Sequence, residues 1–242
     1  MLVSTYKTIF SRYEKKYVIT KQQQAALLRL IGDRLREDDY GESTVCNIYF
    51  DTPDYRLIRA SLEKPVFKEK LRLRVYQIPR ADSTAFVEIK RKYKGIVYKR
   101  RVSMRYDEAV DWLCRGNPPA LQGQIPREIE YCRGCYGTLQ PKVSLFYDRE
   151  AYVGKEDAAL RLTFDSNIRF RANRLDLSLG DGGCRRIDNG NLVLEIKCDV
   201  VFPLWLSEAL SALSIFPATF SKYGVAYQTM LRPQTAAATV HA

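Results

Sequence analysis

Histidine is almost absent: the one copy, His241, stands next to the last of 242 residues. That excludes the devices built on imidazole, namely a Ser/His/Asp triad, a His-Glu-x-x-His zinc helix and a histidine general base. Long apolar runs are missing as well. The stretch Val200–Leu206 falls well short of the roughly 20 residues a membrane span needs, and Met1–Phe10 has no apolar core bounded by a cleavage site, as an export signal would. The six cysteines offer one close pair, Cys132-Arg-Gly-Cys135, with neither a second pair nor a histidine to complete a zinc site. They read as reduced thiols of a cytoplasmic protein. A phosphate-cradling glycine loop is lacking, because Gly154-Lys155 is followed by Glu156 and has no upstream glycine. No basic helix or recognisable nucleic-acid module occurs, so no specific nucleic-acid partner is expected.

What the chain does have is apolar residues in number and a cationic surplus. A hydrophobic content of 46% excludes a disordered chain, and the length suffices for one sizeable domain over residues 1–232. The tail 233–242, rich in Ala and Thr, is expected to lack fixed structure. The net charge of +11 points to an acidic partner of some kind.

Alternation with period two dominates, which marks strands. Lys68, Lys70, Arg72 and Arg74 share one face of a strand whose other face carries Leu71, Leu73 and Val75. Glu88, Lys90 and Lys92 repeat the theme opposite Val87 and Ile89. After a turn near Gly95, Lys99 and Arg101 share a face, with Arg100 on the other. Similar phasing joins Arg12, Glu14 and Lys16, then Tyr147 and Arg149, then Arg161, Thr163 and Asp165, then Glu195 and Lys197. Strands are also read at Val45–Asp51 and, separately from Leu160–Asp165, at Asn167–Ala172. Helices are expected over Lys21–Leu35 with Thr20 as N-cap, Tyr55–Leu62, Tyr106–Arg115 and Pro203–Leu213. The stretch around Pro118, Pro119 and Pro126 reads as turns. About eight strands joined mostly as hairpins, with three or four helices, predict an α+β fold: an antiparallel sheet closed into an eight-stranded β-barrel with flanking helices.

Solvated faces would account for much of this charge. Yet the phased faces are strongly cationic, and their carboxylates Glu14, Glu88 and Glu195 are few, whereas a surface kept soluble mixes both signs. Such crowding costs repulsion unless a polyanion neutralises it, and Arg forks and Lys ammoniums both suit phosphate oxygens.

Several segments then match a known family in order: Arg12-Tyr-Glu-Lys-Lys-Tyr17, Tyr49-Phe-Asp-Thr-Pro53, Leu71-Arg-Leu-Arg-Val-Tyr76, Val87-Glu-Ile-Lys90, Tyr147-Asp-Arg149, Leu160-Arg-Leu-Thr-Phe-Asp165, Leu192-Val-Leu-Glu-Ile-Lys197 and Ser221-Lys-Tyr223. The chain resembles the catalytic domain of the vacuolar transporter chaperone family, the polyphosphate polymerases of the triphosphate tunnel metalloenzyme superfamily. The resemblance implies an eight-stranded tunnel with inward polar residues, ATP and inorganic polyphosphate as ligands, and a divalent metal, manganese or magnesium. It implies catalytic roles for Arg72, Arg74, Lys90, Arg161 and Lys222, and substrate contacts from Lys16, Lys99, Arg101, Tyr147, Arg149, Lys197 and Ser221. Glu195 would hold the metal, with Glu14 and Glu88 as secondary metal candidates or as salt bridges to their basic neighbours. Eukaryotic members carry an inositol-phosphate-sensing domain and membrane helices; this sequence has neither and resembles a stand-alone prokaryotic type. Two alternatives stay open. Hydrolases of the same fold open on Glu-x-Glu-x-Lys, where this chain has Arg12, Glu14 and Lys16, and a non-catalytic polyanion-binding module would bind without turnover.

Overall fold

A computed structural model describes residues 9–10, 13–39, 41–94, 96–199 and 201–231; Arg12 and the tail 233–242 lie outside them. In chain order the elements are β1 (Ile9–Phe10), β2 (Tyr13–Ile19), α1 (Lys21–Ile31), β3 (Leu35–Glu37), β4 (Ser43–Asp51), α2 (Arg56–Leu62), β5 (Phe67–Tyr76), β6 (Thr84–Tyr93), β7 (Ile96–Arg105) and α3 (Tyr106–Val110). There follow α4 (Gln124–Tyr136), β8 (Gln140–Gly154), β9 (Arg161–Arg171), β10 (Arg185–Arg186), β11 (Leu192–Cys198), α5 (Leu204–Ala212) and α6 (Lys222–Leu231).

The strands form one antiparallel sheet in the order β1-β7-β6-β5-β4-β8-β9-β11-β2, with β3 added to β8 and β10 to β9. β1 and β2 sit at opposite ends of that order, yet three Cα steps link Phe10 to Tyr13, a span of at most about 11 Å. The two edges must therefore approach one another, and the sheet curls into a tunnel whose wall is the eight long strands β2, β4–β9 and β11. Across the seam Ile9 and Phe10 pair with Arg100 and Lys99 of β7, while Tyr17 of β2 bridges Pro217 and the Ala218 N–H donates to the Lys16 carbonyl at 2.7 Å.

The apolar faces of the strands point outward and are covered by helices. Leu71, Leu73, Val87 and Ile89 pack with Trp112 and with Ile129 of α4. Leu162, Phe164, Leu194 and Ile196 pack with Leu27 and Ile31 of α1 and Leu206 of α5. Thr20 caps α1 through a reciprocal bond with Gln23. The helix is shorter than its periodicity predicts: after Ile31 the chain tightens through Gly32–Arg34, and Leu35 begins β3. The expected turn at Pro126 is instead the first turn of α4, where a missing N–H costs nothing. The expected break between Leu160–Asp165 and Asn167–Ala172 is absent as well. β9 runs through, with Asn167 at φ 48 and a register shift opposite it in β8 absorbing the irregularity. The helix expected over Tyr106–Arg115 continues past α3 as a π-turn, Asp111–Arg115, and stops at Gly116 in the left-handed region.

One helix lies inside the curl. Tyr223 of α6 stacks on Tyr49 at 4.7 Å between ring centroids, and Ala226 and Tyr227 pack with Val143, Leu145, Ile168 and Phe170. The anchor is Asp51, fully buried, whose carboxylate accepts the N–H groups of Leu57 and Ile58 at the start of α2 and the Tyr223 hydroxyl at 2.9 Å. A Cβ on Gly224 would stand 3.1 Å from Leu62 and 3.2 Å from Ser221, so glycine allows the α2–α6 approach. Tyr223→Phe removes one donor from this carboxylate and is expected to cost about 1–3 kcal/mol in urea unfolding; an unchanged midpoint would mean that α6 is held by packing alone. No described helix is long and apolar enough to cross a membrane.

Candidate functional site

Inside the curl the register sets cations in rows. Arg74 lies opposite Asn47 and Phe86; Arg72 opposite Tyr49 and Glu88, with Arg101 next; Lys70 opposite Lys90, with Lys99 next. On the other wall Lys16 and Thr163 flank Glu195, and Glu14 and Arg161 flank Lys197. The walls face each other: Glu14 of β2 reaches Lys90 of β6 at 3.8 Å, and Lys70 of β5 is repelled by Lys16 of β2.

Four carboxylates hold the cations apart. Glu88, 1% exposed, binds Arg72 and Lys99 at 2.6 Å each and lies 3.8 Å from Arg74. Glu195 pairs with Lys197 and, at 3.5 Å, with Lys16, which Glu14 also meets at 3.5 Å. Asp165 receives both arms of Arg149 at 2.7 and 2.9 Å and Lys222 at 2.5 Å. Burial alone would raise all of these carboxyls, but the facing cations outweigh it. Asp165 is drawn down to about 2, Glu14 is lowered, and Glu88 and Glu195 fall well below the usual range. The lysines divide. For Lys16, burial is outweighed by Glu195 and Glu14, and its ammonium is stabilised. Burial brings Lys99 down to about 7 despite Glu88, with Arg74 and Arg72 adding to the fall, and brings Lys70 to about 8.

Most of the residues singled out from sequence meet in this lumen. Arg74 donates to Asn47 Oδ1 at 3.0 Å and to Tyr147 Oη at 3.1 Å. Lys222 and Arg149 lie over the Tyr147 ring, and Arg101 over the Phe86 ring. Ser221 Oγ accepts from Lys70 Nζ at 3.0 Å and from the Gly224 N–H at 3.1 Å. Strand parity separates Lys99 from Arg100, whose guanidinium binds Glu128 of α4 on the outside. Arg161 stands apart from the Arg72 and Arg74 group, its guanidinium bound to Asp38 after β3. The three candidate metal carboxylates also divide: Glu14 and Glu195 are neighbours, whereas Glu88 is enclosed by Arg72, Arg74 and Lys99.

Four lumen residues carry more than the sequence reading assigned. Lys70 has the parity of Arg72 and could have been chosen on that signal. Tyr49 opens the segment Tyr49–Pro53 and carries no formal charge; its hydroxyl accepts from Arg72 at 3.2 Å. Burial would raise it, yet Arg72, Lys70 and Arg74 bring it to about 8. Asn47 and Asp165 are a guanidinium holder and a fully buried counter-charge.

The VTC domain model matches residues 11–231. The chain belongs to the VTC domain family. No curated protein matches it. Among solved structures, this VTC domain is similar to a Bacillus halodurans protein named for adenylate cyclase, with 14% identity, TM-score 0.57, and coverage of 89% of this chain and 96% of that one. A Hippeastrum protein described as an adenylyl cyclase with dominant triphosphatase activity is 17% identical, with TM-score 0.49 and coverage of 94% and 98%. The first likeness shows that the VTC domain shares the fold of that protein.

Among the described residues no group of three or more His, Cys, Asp or Glu side chains converges as a metal cage. Glu14 and Glu195 are hard oxygen donors side by side, a set that fits a magnesium-like ion whose remaining ligands are waters and substrate phosphates. Glu88 fits less well: at 1% exposed it is closed in by Arg72, Arg74 and Lys99, which leaves no room for waters or phosphates around an ion.

Proposed function

We infer that this VTC domain is a metal-dependent polyphosphate polymerase that moves the γ-phosphoryl of ATP onto the end of an inorganic polyphosphate chain. The observation that carries the reading is the state of the lumen carboxylates. Glu14, Glu88, Asp165 and Glu195 are all ion-paired and drawn down, so none is suited to take a proton from water. A terminal phosphate acceptor is already ionised and requires no base. Its oxygen attacks the γ-phosphorus, the bond to the β-bridging oxygen breaks, and the electron pair leaves with ADP. Placement and charge neutralisation then do most of the work. Arg72 and Arg74, fixed by Glu88, Tyr49, Asn47 and Tyr147, offer planar forks to phosphoryl oxygens. Ser221 accepts two bonds and keeps its own proton for a phosphate oxygen. Glu195 and Glu14 would hold a divalent ion, which when bound neutralises phosphate oxygens and polarises the leaving group.

A triphosphatase is the second reading, and Lys99 favours it. With its amine at about 7 it is the lumen group poised to accept a proton from water at neutral pH. Incubation with ATP and manganese or magnesium separates the two: polymer on a gel, lost in Glu195→Gln, supports the polymerase, whereas phosphate release without polymer selects the hydrolase.

Polyanion binding is also expected to draw protons. Phosphate oxygens favour the charged amines, so Lys99 and Lys70 rise on binding from about 7 and about 8. Affinity for tripolyphosphate is then full below about pH 7 and falls as the pH climbs above it, more steeply past about 8, with uptake of between about one and two protons at pH 8. Calorimetry in buffers of different ionisation enthalpy measures this directly, and a buffer-independent enthalpy at pH 8 would contradict it.

A further inference from the structure

Beyond the lumen the cationic rows continue onto the rim, and there they lose their counter-charges. Lys68 and Lys92 are paired cross-strand one step outside Lys70 and Lys90, with Val97 of β7 next in the row. Exposure rises along this line: Arg74 is 6% exposed, Lys70 and Lys68 are half-buried, and Lys92 and Lys64 are exposed. The tunnel therefore opens at this end. Each inner row has a carboxylate, Glu88 for Arg72 and Lys99 and Glu14 for Lys90. Among the described residues none of Lys64, Lys68 and Lys92 has a carboxylate within ion-pair distance. Glu63, their sequence neighbour, closes α2 and pairs with none of them. Lys68 is held instead by the Ser61 carbonyl at 3.1 Å, and burial together with Lys92 and Lys64 lowers its pKa.

Lys64 and Lys92 crowding Lys68 at a mouth cost repulsion, which an anion passing between them relieves. The ligand that lies in the lumen does not extend so far if it is only a triphosphate. From the Arg74 row to the Lys68 row is three two-residue steps, about 20 Å along the strand, and a triphosphate with two P–O–P links covers a fraction of that. We propose that Lys64, Lys68 and Lys92 form a rim subsite for the protruding part of a long inorganic polyphosphate, which discriminates long chains from triphosphates. The ligand class rests on the proposed function, but the subsite is tested by binding alone.

The experiment compares tripolyphosphate with a long-chain polyphosphate on the wild type, on Lys64→Ser/Lys92→Ser, and on Lys21→Ser/Arg29→Ser, which removes the same charge from the exposed face of α1. All four substituted positions, Lys64 and Lys92 on the rim and Lys21 and Arg29 on α1, are exposed, and the half-buried Lys68 is left intact, so folding is preserved. The rim variant should bind the long chain about tenfold more weakly at moderate salt, with a shallower salt dependence by roughly one to two units of slope. Tripolyphosphate affinity should change less than about twofold, and the α1 variant should match the wild type for both ligands. Equal losses for both ligands, or a long-chain loss no greater than in the α1 variant, overturn the subsite. Wild-type binding of tripolyphosphate with no gain for the long chain overturns it too while leaving the lumen site standing. Failure of the wild type to bind either ligand would bring down the functional reading itself.

Discussion

Arg72→Ala is expected to lower ATP-dependent turnover by about 10²–10³-fold, the scale seen when one fixed donor to a developing oxyanion is removed. Arg72 is suited to that role because its geometry is set before any ligand arrives. Nε donates to Glu88 at 2.6 Å and Nη1 to Tyr49 at 3.2 Å, and 18% of the side chain faces the lumen. Lysine keeps the charge but cannot make the Glu88 and Tyr49 contacts together while presenting a fork, so Arg72→Lys should recover only part of the rate. The loss should fall on kcat as well as on kcat/KM, because the contact strengthens as charge builds on the transferring group. Retained far-UV dichroism separates this from unfolding. An alanine variant within about threefold of wild type would remove Arg72 from the reaction.

Glu88→Gln carries the largest expected effect on stability. Its carboxylate is buried among Arg72, Arg74 and Lys99, and removing one member of a buried ionic group costs about 3–5 kcal/mol. The loss is moderated at Lys99, which Glu88 helps to keep charged and which becomes neutral more readily without it. The dependence on pH has a definite sign. Because the folded Glu88 carboxyl lies well below its ordinary value of 4.5, its contribution is full above that value and disappears as the pH falls through the folded pKa. The wild type and the variant should thus differ clearly in urea at pH 7 and converge in acid. Added tripolyphosphate stabilises only the folded state, and it should raise the melting temperature of Glu88→Gln by more than that of the wild type, since the variant's lumen is more cationic. A variant as stable as wild type, or a smaller ligand shift, would mean that Glu88 is not the counter-charge of this lumen.

Legibility from sequence varied from one part of the site to another. That Lys99 and not Arg100 shares a face with Arg101 needed only alternation, since neighbouring residues of a strand point to opposite faces. The same holds for Arg72, Arg74, Lys90, Glu195 and Lys197. Helix α4 escaped because a proline in its first turn looks like a breaker when its position within a helix is unknown. Arg161 shares the parity of the other cations, yet its guanidinium meets Asp38, 123 residues earlier in the chain. Tyr49 and Asp165 are hidden in the sequence for a related reason: neither stands out until Arg72 or Arg149 is set against it.

Which side chains share a face, and that the cationic face recurs on many strands, follow from the linear order of residues alone. Alternation and composition are local properties, so a linear reading contains them. The inward turn of the cationic face, the entry of α6 into the curl that brings Ser221 and Lys222 beside Lys70 and Asp165, and the loss of counter-charges at Lys64, Lys68 and Lys92 arise from the tertiary fold. Those outcomes depend on sheet curvature, on register between distant strands and on burial. Each is set by contacts between segments far apart in the chain, and Coulomb forces in a low-dielectric interior respond to that spacing and not to sequence order.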